Sequence, residues 1–127
     1  MWGLWFKGMV LALAFTFTMP TFASWWLRDR TKPTNPTNFR VTGVTPFSVS
    51  LAWGPSADNS GKFSYRLTST RAGGGSGLVT YLPKLATGHN WNIAIFPATS
   101  YTFRLRAVDE AGNASSEVLT MVTTPPD

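Results

Sequence analysis

From Phe39 onward the chain alternates apolar and polar positions with a period of two, the pattern of strands that bury one face and solvate the other. Phe39, Val41 and Val44 follow it loosely. Val49, Leu51 and Trp53 follow it strictly, with Ser48, Ser50 and Ala52 between them. Phe63, Tyr65 and Leu67 alternate with Ser64, Arg66 and Thr68, and a short strand is predicted from Leu78 to Leu82. Trp91, Ile93 and Ile95 predict a fifth strand. Tyr101, Phe103, Leu105 and Ala107 predict a sixth, and Glu117 to Thr124 the last. Turn signals separate them at Gly54–Gly61, Gly73–Gly77 and Glu110–Asn113. After residue 24 no segment has a helical period. Seven short strands between turn clusters predict an all-β fold, a two-layer sandwich.

The first residues follow another rule. Met1 to Lys7 carries one side-chain positive charge, and Gly8 to Thr18 is an apolar run. Pro20 then breaks any helix, and Thr21 and Ala23 are small residues at the positions of a signal-peptidase site. This predicts a signal peptide over 1–23, cleaved after Ala23. The alternative is an uncleaved membrane anchor over 1–27. Gly8 to Leu27 is free of charge for about the length that crosses a bilayer, and Arg28, Arg30 and Lys32 follow it. Pro20 and the threonines favour cleavage. The Pro, Thr and Asn density of Ser24 to Asn38 marks a linker, assigned to residues 24–35. Trp25 and Trp26 within it belong to the signal boundary or pack on the end of the domain. Exposed, they could stack on sugar rings or sit at a membrane interface.

Composition narrows the chemistry. A chain of 127 residues with 43% apolar residues holds one core, and its charged fraction of 13% falls below the ~25% usual in soluble proteins. There is no Cys, hence no disulfide framework and no thiolate metal site. The single His, His89, has no Asp, Glu or Cys near it in sequence and reads as a turn residue before the fifth strand, so no metal or cofactor is predicted. The net charge of +5 comes from scattered Lys and Arg without a basic run, which argues against nucleic acid as a partner. Asp58 with Asn59, and Asp109 with Glu110, are the carboxylate clusters. Both lie in turns, where such side chains cap backbone N–H groups, so neither predicts a glycosidase pair or a calcium site. Arg71–Gly77 lacks the Lys-Ser/Thr and the helix of a phosphate loop and reads as a hairpin connection. No catalytic residue is predicted.

One stretch carries a resemblance. Ile95-Phe96-Pro97-Ala98-Thr99-Ser100-Tyr101-Thr102-Phe103-Arg104-Leu105-Arg106-Ala107 is similar to the L-x-P-x-T-x-Y-x-F-x-V-x-A run of fibronectin type III domains. Pro36-Thr37-Asn38-Phe39 resembles the start of that family's first strand, and Trp53 and Tyr65 stand where it carries core aromatics. Ile95 and Leu105 depart from the pattern conservatively. The resemblance implies an immunoglobulin-like sandwich over 36–124, with residues 125–127 as a tail or the start of a further linker. It implies structural core roles for Trp53, Tyr65, Pro97, Tyr101, Phe103 and Leu105, with Tyr101 as a tyrosine corner. Ala111-Gly112-Asn113-x-Ser115 and Asp58-Asn59-Ser60-Gly61 look most like modules of bacterial secreted proteins, including those beside glycoside hydrolase domains.

In such a sandwich the third and sixth strands are neighbours. Arg66, Arg104 and Arg106 alternate with inward residues, so they share one outer sheet face, a candidate anion-binding face. The bland reading is a solvated face whose Arg stems cover apolar surface. Asn113-Ala114-Ser115 is a glycosylation sequon of consequence only in a eukaryotic secretory path. The expected role is a non-catalytic, secreted or cell-surface module acting as a spacer or adhesion unit, with polysaccharide or another extracellular protein as partner. It could be the N-terminal fragment of a larger polysaccharide-acting protein. A carbohydrate-binding module is the first alternative, with Trp25, Trp26, Tyr81 and Phe47 as candidate stacking aromatics. A membrane-anchored envelope protein is the second. Membrane contact is expected only if the N-terminal segment stays attached.

Overall fold

The computed structural model describes residues 28–127; the signal segment and Trp25 and Trp26 lie outside the described residues. Seven strands occur among them: β1 (Thr37–Thr45), β2 (Ser48–Gly54), β3 (Phe63–Arg71), β4 (Leu78–Pro83), β5 (Gly88–Trp91), β6 (Ser100–Asp109) and β7 (Val118–Thr123). They form a three-stranded sheet in the order β1-β2-β5 and a four-stranded sheet in the order β4-β3-β6-β7. Every pairing is antiparallel. This is the predicted sandwich.

The alternation decides which side chains meet between the layers. β2 sends Val49, Leu51 and Trp53 inward, β3 sends Tyr65 and Leu67, and β6 sends Tyr101, Phe103, Leu105 and Ala107. Trp91 and Ile95 complete this buried cluster. The large rings pack edge to face, as their quadrupoles favour. Trp53 meets Tyr65 at 5.5 Å between centroids, and Trp91 meets Phe103 at 5.8 Å. Burying a side chain of this size is worth about 1.5–3 kcal/mol, so the alternation itself fixes the register of β2, β3 and β6.

The fifth strand lies earlier than the sequence pattern predicts. β5 pairs with β2 only from Gly88 opposite Ala52 to Trp91 opposite Val49. His89 is therefore inside the strand rather than before it. After Trp91 the chain turns: Ala94 has a positive φ of 56°, and the Trp91 indole donates to the Ile93 carbonyl at 2.8 Å. Ile93 is left 69% exposed while Ile95 swings back into the core. The apolar spacing of Trp91, Ile93 and Ile95 thus arises in a turn and not along a ladder.

Pro97 also differs from its expected place. It is half-buried and outside the core cluster, because it sits in the turn that carries the chain from one sheet to the other. Its carbonyl accepts from the Thr99 hydroxyl at 2.8 Å, and Ala98 beside it has a φ of 49°. It shapes the turn and leaves the packing to Tyr101 and Ile95. In the β3–β4 connection, a Cβ on Gly77 would lie 2.8 Å from the Ser69 carbonyl, so glycine is what lets the hairpin close.

Pro33, in the stretch read as a linker, and Pro36, at the predicted start of the domain, are buried. Thr34 exchanges backbone and side-chain hydrogen bonds with Ala57, both at 2.8 Å. No helix among the described residues is long and apolar enough to cross a membrane.

Candidate functional site

The outer face of the four-stranded sheet gathers the basic residues singled out in the sequence. The β3–β6 register sets Arg66 directly opposite Arg106 and Thr68 opposite Arg104. Their neighbours Tyr65, Leu67, Phe103 and Leu105 are buried, so all three Arg side chains lie on the solvent side. Each is half-buried. Two like charges directly opposite on antiparallel strands destabilise the pairing. One acidic partner stands on this face among the described residues: Glu117, whose Oε2 is 3.2 Å from the Arg106 guanidinium.

The flanking strands add apolar surface. On β4, Tyr81 pairs opposite Arg66 and Val79 opposite Thr68. On β7, Leu119 pairs opposite Arg104 and Met121 opposite Thr102. One row across the sheet therefore reads Tyr81, Arg66, Arg106, and the next reads Val79, Thr68, Arg104, Leu119. Tyr81 is 64% exposed, and Val79, Leu119 and Met121 are exposed as well. Sequence reasoning found the three Arg residues and Tyr81 but not Val79, Leu119 and Met121 beside them. The alternation on β4 and β7 carried the signal, and the pairing partners of these strands were needed to place it. Phe47, also 52% exposed, lies in the β1–β2 turn of the other sheet, so it forms no common platform with Tyr81.

The carboxylates come together more closely than their sequence separation suggests. Asp58 in the β2–β3 loop and Asp109 at the end of β6 approach within 4.8 Å. A retaining glycosidase holds its two carboxyl groups about 5–5.5 Å apart, so the spacing alone invites that comparison. The hydrogen bonds answer it. Asp109 is 5% exposed, and it accepts from the Asn113 backbone at 2.8 Å and from the Asn113 amide at 2.9 Å. Asp58 accepts from the Ser60 backbone and hydroxyl. Both carboxylates tie turns together, and Asp109 offers a sugar no access. The Asn113 amide that a glycan would occupy is the same one held by Asp109.

His89 lines a hollow of about 350 Å³ with Leu78, Trp91 and Ile93. Its ring meets Trp91 edge-on at 6.0 Å, and partial burial pushes its pKa below the ordinary 6.5. Tyr101 is 2% exposed, and its hydroxyl ties the turn before β6 to the core.

A sandwich with this strand order and an aromatic corner before its sixth strand defines an immunoglobulin-like module. Residues 34–122 match the model of the fibronectin type III domain, and the chain belongs to that family. It is similar to Chitinase A1 of Niallia circulans, at 42% identity over 99 residues, which is 76% of this chain and 13% of that protein. Among solved structures, the fn3 domain of the human collagen alpha-1(XX) chain shares its fold with a TM-score of 0.65 at 23% identity, covering 78% of this chain and 91% of that one. A computationally redesigned β-sandwich protein does so with a TM-score of 0.64 at 22% identity, covering 73% and 91%.

Proposed function

We propose that the chain is an exported, non-catalytic fibronectin type III module that serves as a spacer and binding unit in a polysaccharide-acting protein. The observation that carries this reading is the similarity to Chitinase A1, which is confined to 13% of that protein while covering most of this chain. A family-typical sandwich supports it, with its interior filled by Trp53, Tyr65, Tyr101 and Phe103. So does the use of Asp58 and Asp109 as turn ties. The apolar run and small-residue site before Ser24 support export.

The test couples the chain to a glycoside hydrolase domain and compares turnover with and without it. Higher turnover of insoluble chitin, with soluble chitin oligosaccharides unaffected, is the expected result. Equal turnover of both substrates would overturn the spacer and binding role. Reducing ends released by the chain alone, and lost in Asp109→Asn, would overturn the non-catalytic reading.

Carbohydrate binding by the module itself is favoured by one observation. Tyr81 on β4 is 64% exposed, as a sugar-stacking residue must be.

A further inference from the structure

We infer that the outer face of the β4-β3-β6-β7 sheet binds an anionic polysaccharide, with Tyr81 stacking on a sugar ring and Arg66, Arg104 and Arg106 holding its acidic groups. The inference rests on the reading of the chain as a module of a polysaccharide-acting protein and names the ligand class for it.

Charge complementarity selects the occupant. Arg66 and Arg106 face each other across the β3–β6 ladder, and Arg104 lies on the same face one pleat along β6. Glu117 neutralises one of the three. Arg66 and Arg104, on diagonal positions of the ladder, keep an excess positive charge in the middle of the sheet face, where their mutual repulsion is unrelieved. A ligand with regularly spaced carboxylate or sulfate groups removes that repulsion and takes charge-assisted, bidentate hydrogen bonds from each guanidinium. The same charge repels a second copy of this face, so self-association is disfavoured.

The border of the patch selects a sugar polymer. Tyr81 lies in the row of Arg66 and Arg106, and Val79 and Leu119 lie in the row of Arg104. An acidic saccharide has both components that this pattern requires: ring faces of C–H groups for the tyrosine and the aliphatic side chains, and anionic oxygens for the arginines. The face is an open sheet, which suits a chain passing across it.

The experiment measures binding of the full chain to alginate, dextran sulfate, neutral soluble chitin oligosaccharides and double-stranded DNA, each at low and high ionic strength. Expected is binding to alginate or dextran sulfate that weakens with salt. In the Arg66→Gln/Arg104→Gln double variant the affinity should fall about tenfold or more, as for lost hydrogen bonds to charged groups. Tyr81→Ala should weaken the same binding without changing its salt dependence. Alginate and dextran sulfate separate carboxylate from sulfate as the preferred group, and either preference supports the inference. Retention that none of the substitutions changes would overturn it, as would equal binding of the neutral oligosaccharide or tighter binding of DNA. Circular dichroism of each variant confirms that the sheets persist. Failure here leaves the module reading intact, because that reading is decided by turnover of insoluble chitin in the fusion.

Discussion

The Tyr101 hydroxyl accepts the backbone amide hydrogen of Phe96 at 2.7 Å and donates to the Ala94 carbonyl at 3.3 Å. One phenol thereby clamps the turn that leads from Trp91 into β6, including the positive-φ residue Ala94. Its ring meanwhile lies in the core beside Phe103, at 6.4 Å between centroids. Tyr101→Phe keeps the ring and removes the clamp. The Phe96 amide then loses its acceptor in a partly buried site, and stability should fall by about 1–3 kcal/mol. Urea denaturation followed by circular dichroism would show a lower midpoint with an unchanged native spectrum. An unchanged midpoint would mean that water satisfies the amide equally well.

How much of this was legible in the sequence depends on the range of the interaction. β2, β3 and β6 could be read because a half-buried strand needs strict alternation, and Val49–Trp53, Phe63–Leu67 and Tyr101–Ala107 supply it. β5 was misplaced because it contributes one core residue, Trp91. The next two apolar positions take their spacing from a turn whose positive φ falls on an alanine, a residue that gives no warning of it. The basic face was legible as three outward Arg residues. The head-on placement of Arg66 and Arg106 was not, since ladder register between residues 40 positions apart is set by the packed core. The approach of Asp58 to Asp109 was invisible for the same reason, as each is a turn residue in its own segment.

Trp53 tests the core more severely. It is 3% exposed and touches Phe39 and Tyr65 edge-on at 6.2 and 5.5 Å. Tyr65 in turn accepts the Ser56 amide at 2.7 Å in a buried setting. Trp53→Ala should cost about 3–5 kcal/mol, since the space between two sheets collapses only in part. Tyr65→Phe should cost about 1–3 kcal/mol through the orphaned Ser56 amide. Thermal unfolding of both variants would rank them in that order if the packing described is correct.

The opposed arginines predict a stability gain from removing a charge. Arg66→Gln keeps most of the stem and ends its repulsion from Arg104 and from the Glu117-paired Arg106, for a gain of about 0.2–1 kcal/mol at low ionic strength. Salt screens the same repulsion, so added sodium chloride should stabilise the wild-type chain more than the variant. Melting temperatures at low and high salt would show the two converging. A variant less stable than wild type at every salt concentration would mean that stem packing outweighs the charge.

Export predicts a defined N-terminus. Expressed from Met1 in a bacterial host and recovered from outside the cytoplasm, the chain should begin at Ser24, the residue after the small-residue site at Thr21 and Ala23. Intact-mass spectrometry distinguishes this from a chain that retains Met1. Retention of residues 1–27 in the membrane fraction would favour the anchored alternative.

Acid should weaken the fold through His89. Its pKa lies below 6.5 because partial burial beside Trp91 disfavours the charged ring. As pH falls through 6.5, the unfolded chain takes up a proton that the folded chain resists. The unfolded state then binds more protons, so stability drops toward acid; above that range the ring is neutral in both states and contributes nothing. His89→Gln removes the difference. Melting temperatures between pH 8 and pH 5 should fall more for the wild-type chain than for the variant, and the gap should open below pH 6.5. Parallel curves would show that the hollow lined by Leu78, Trp91 and Ile93 solvates the charged ring as well as water does.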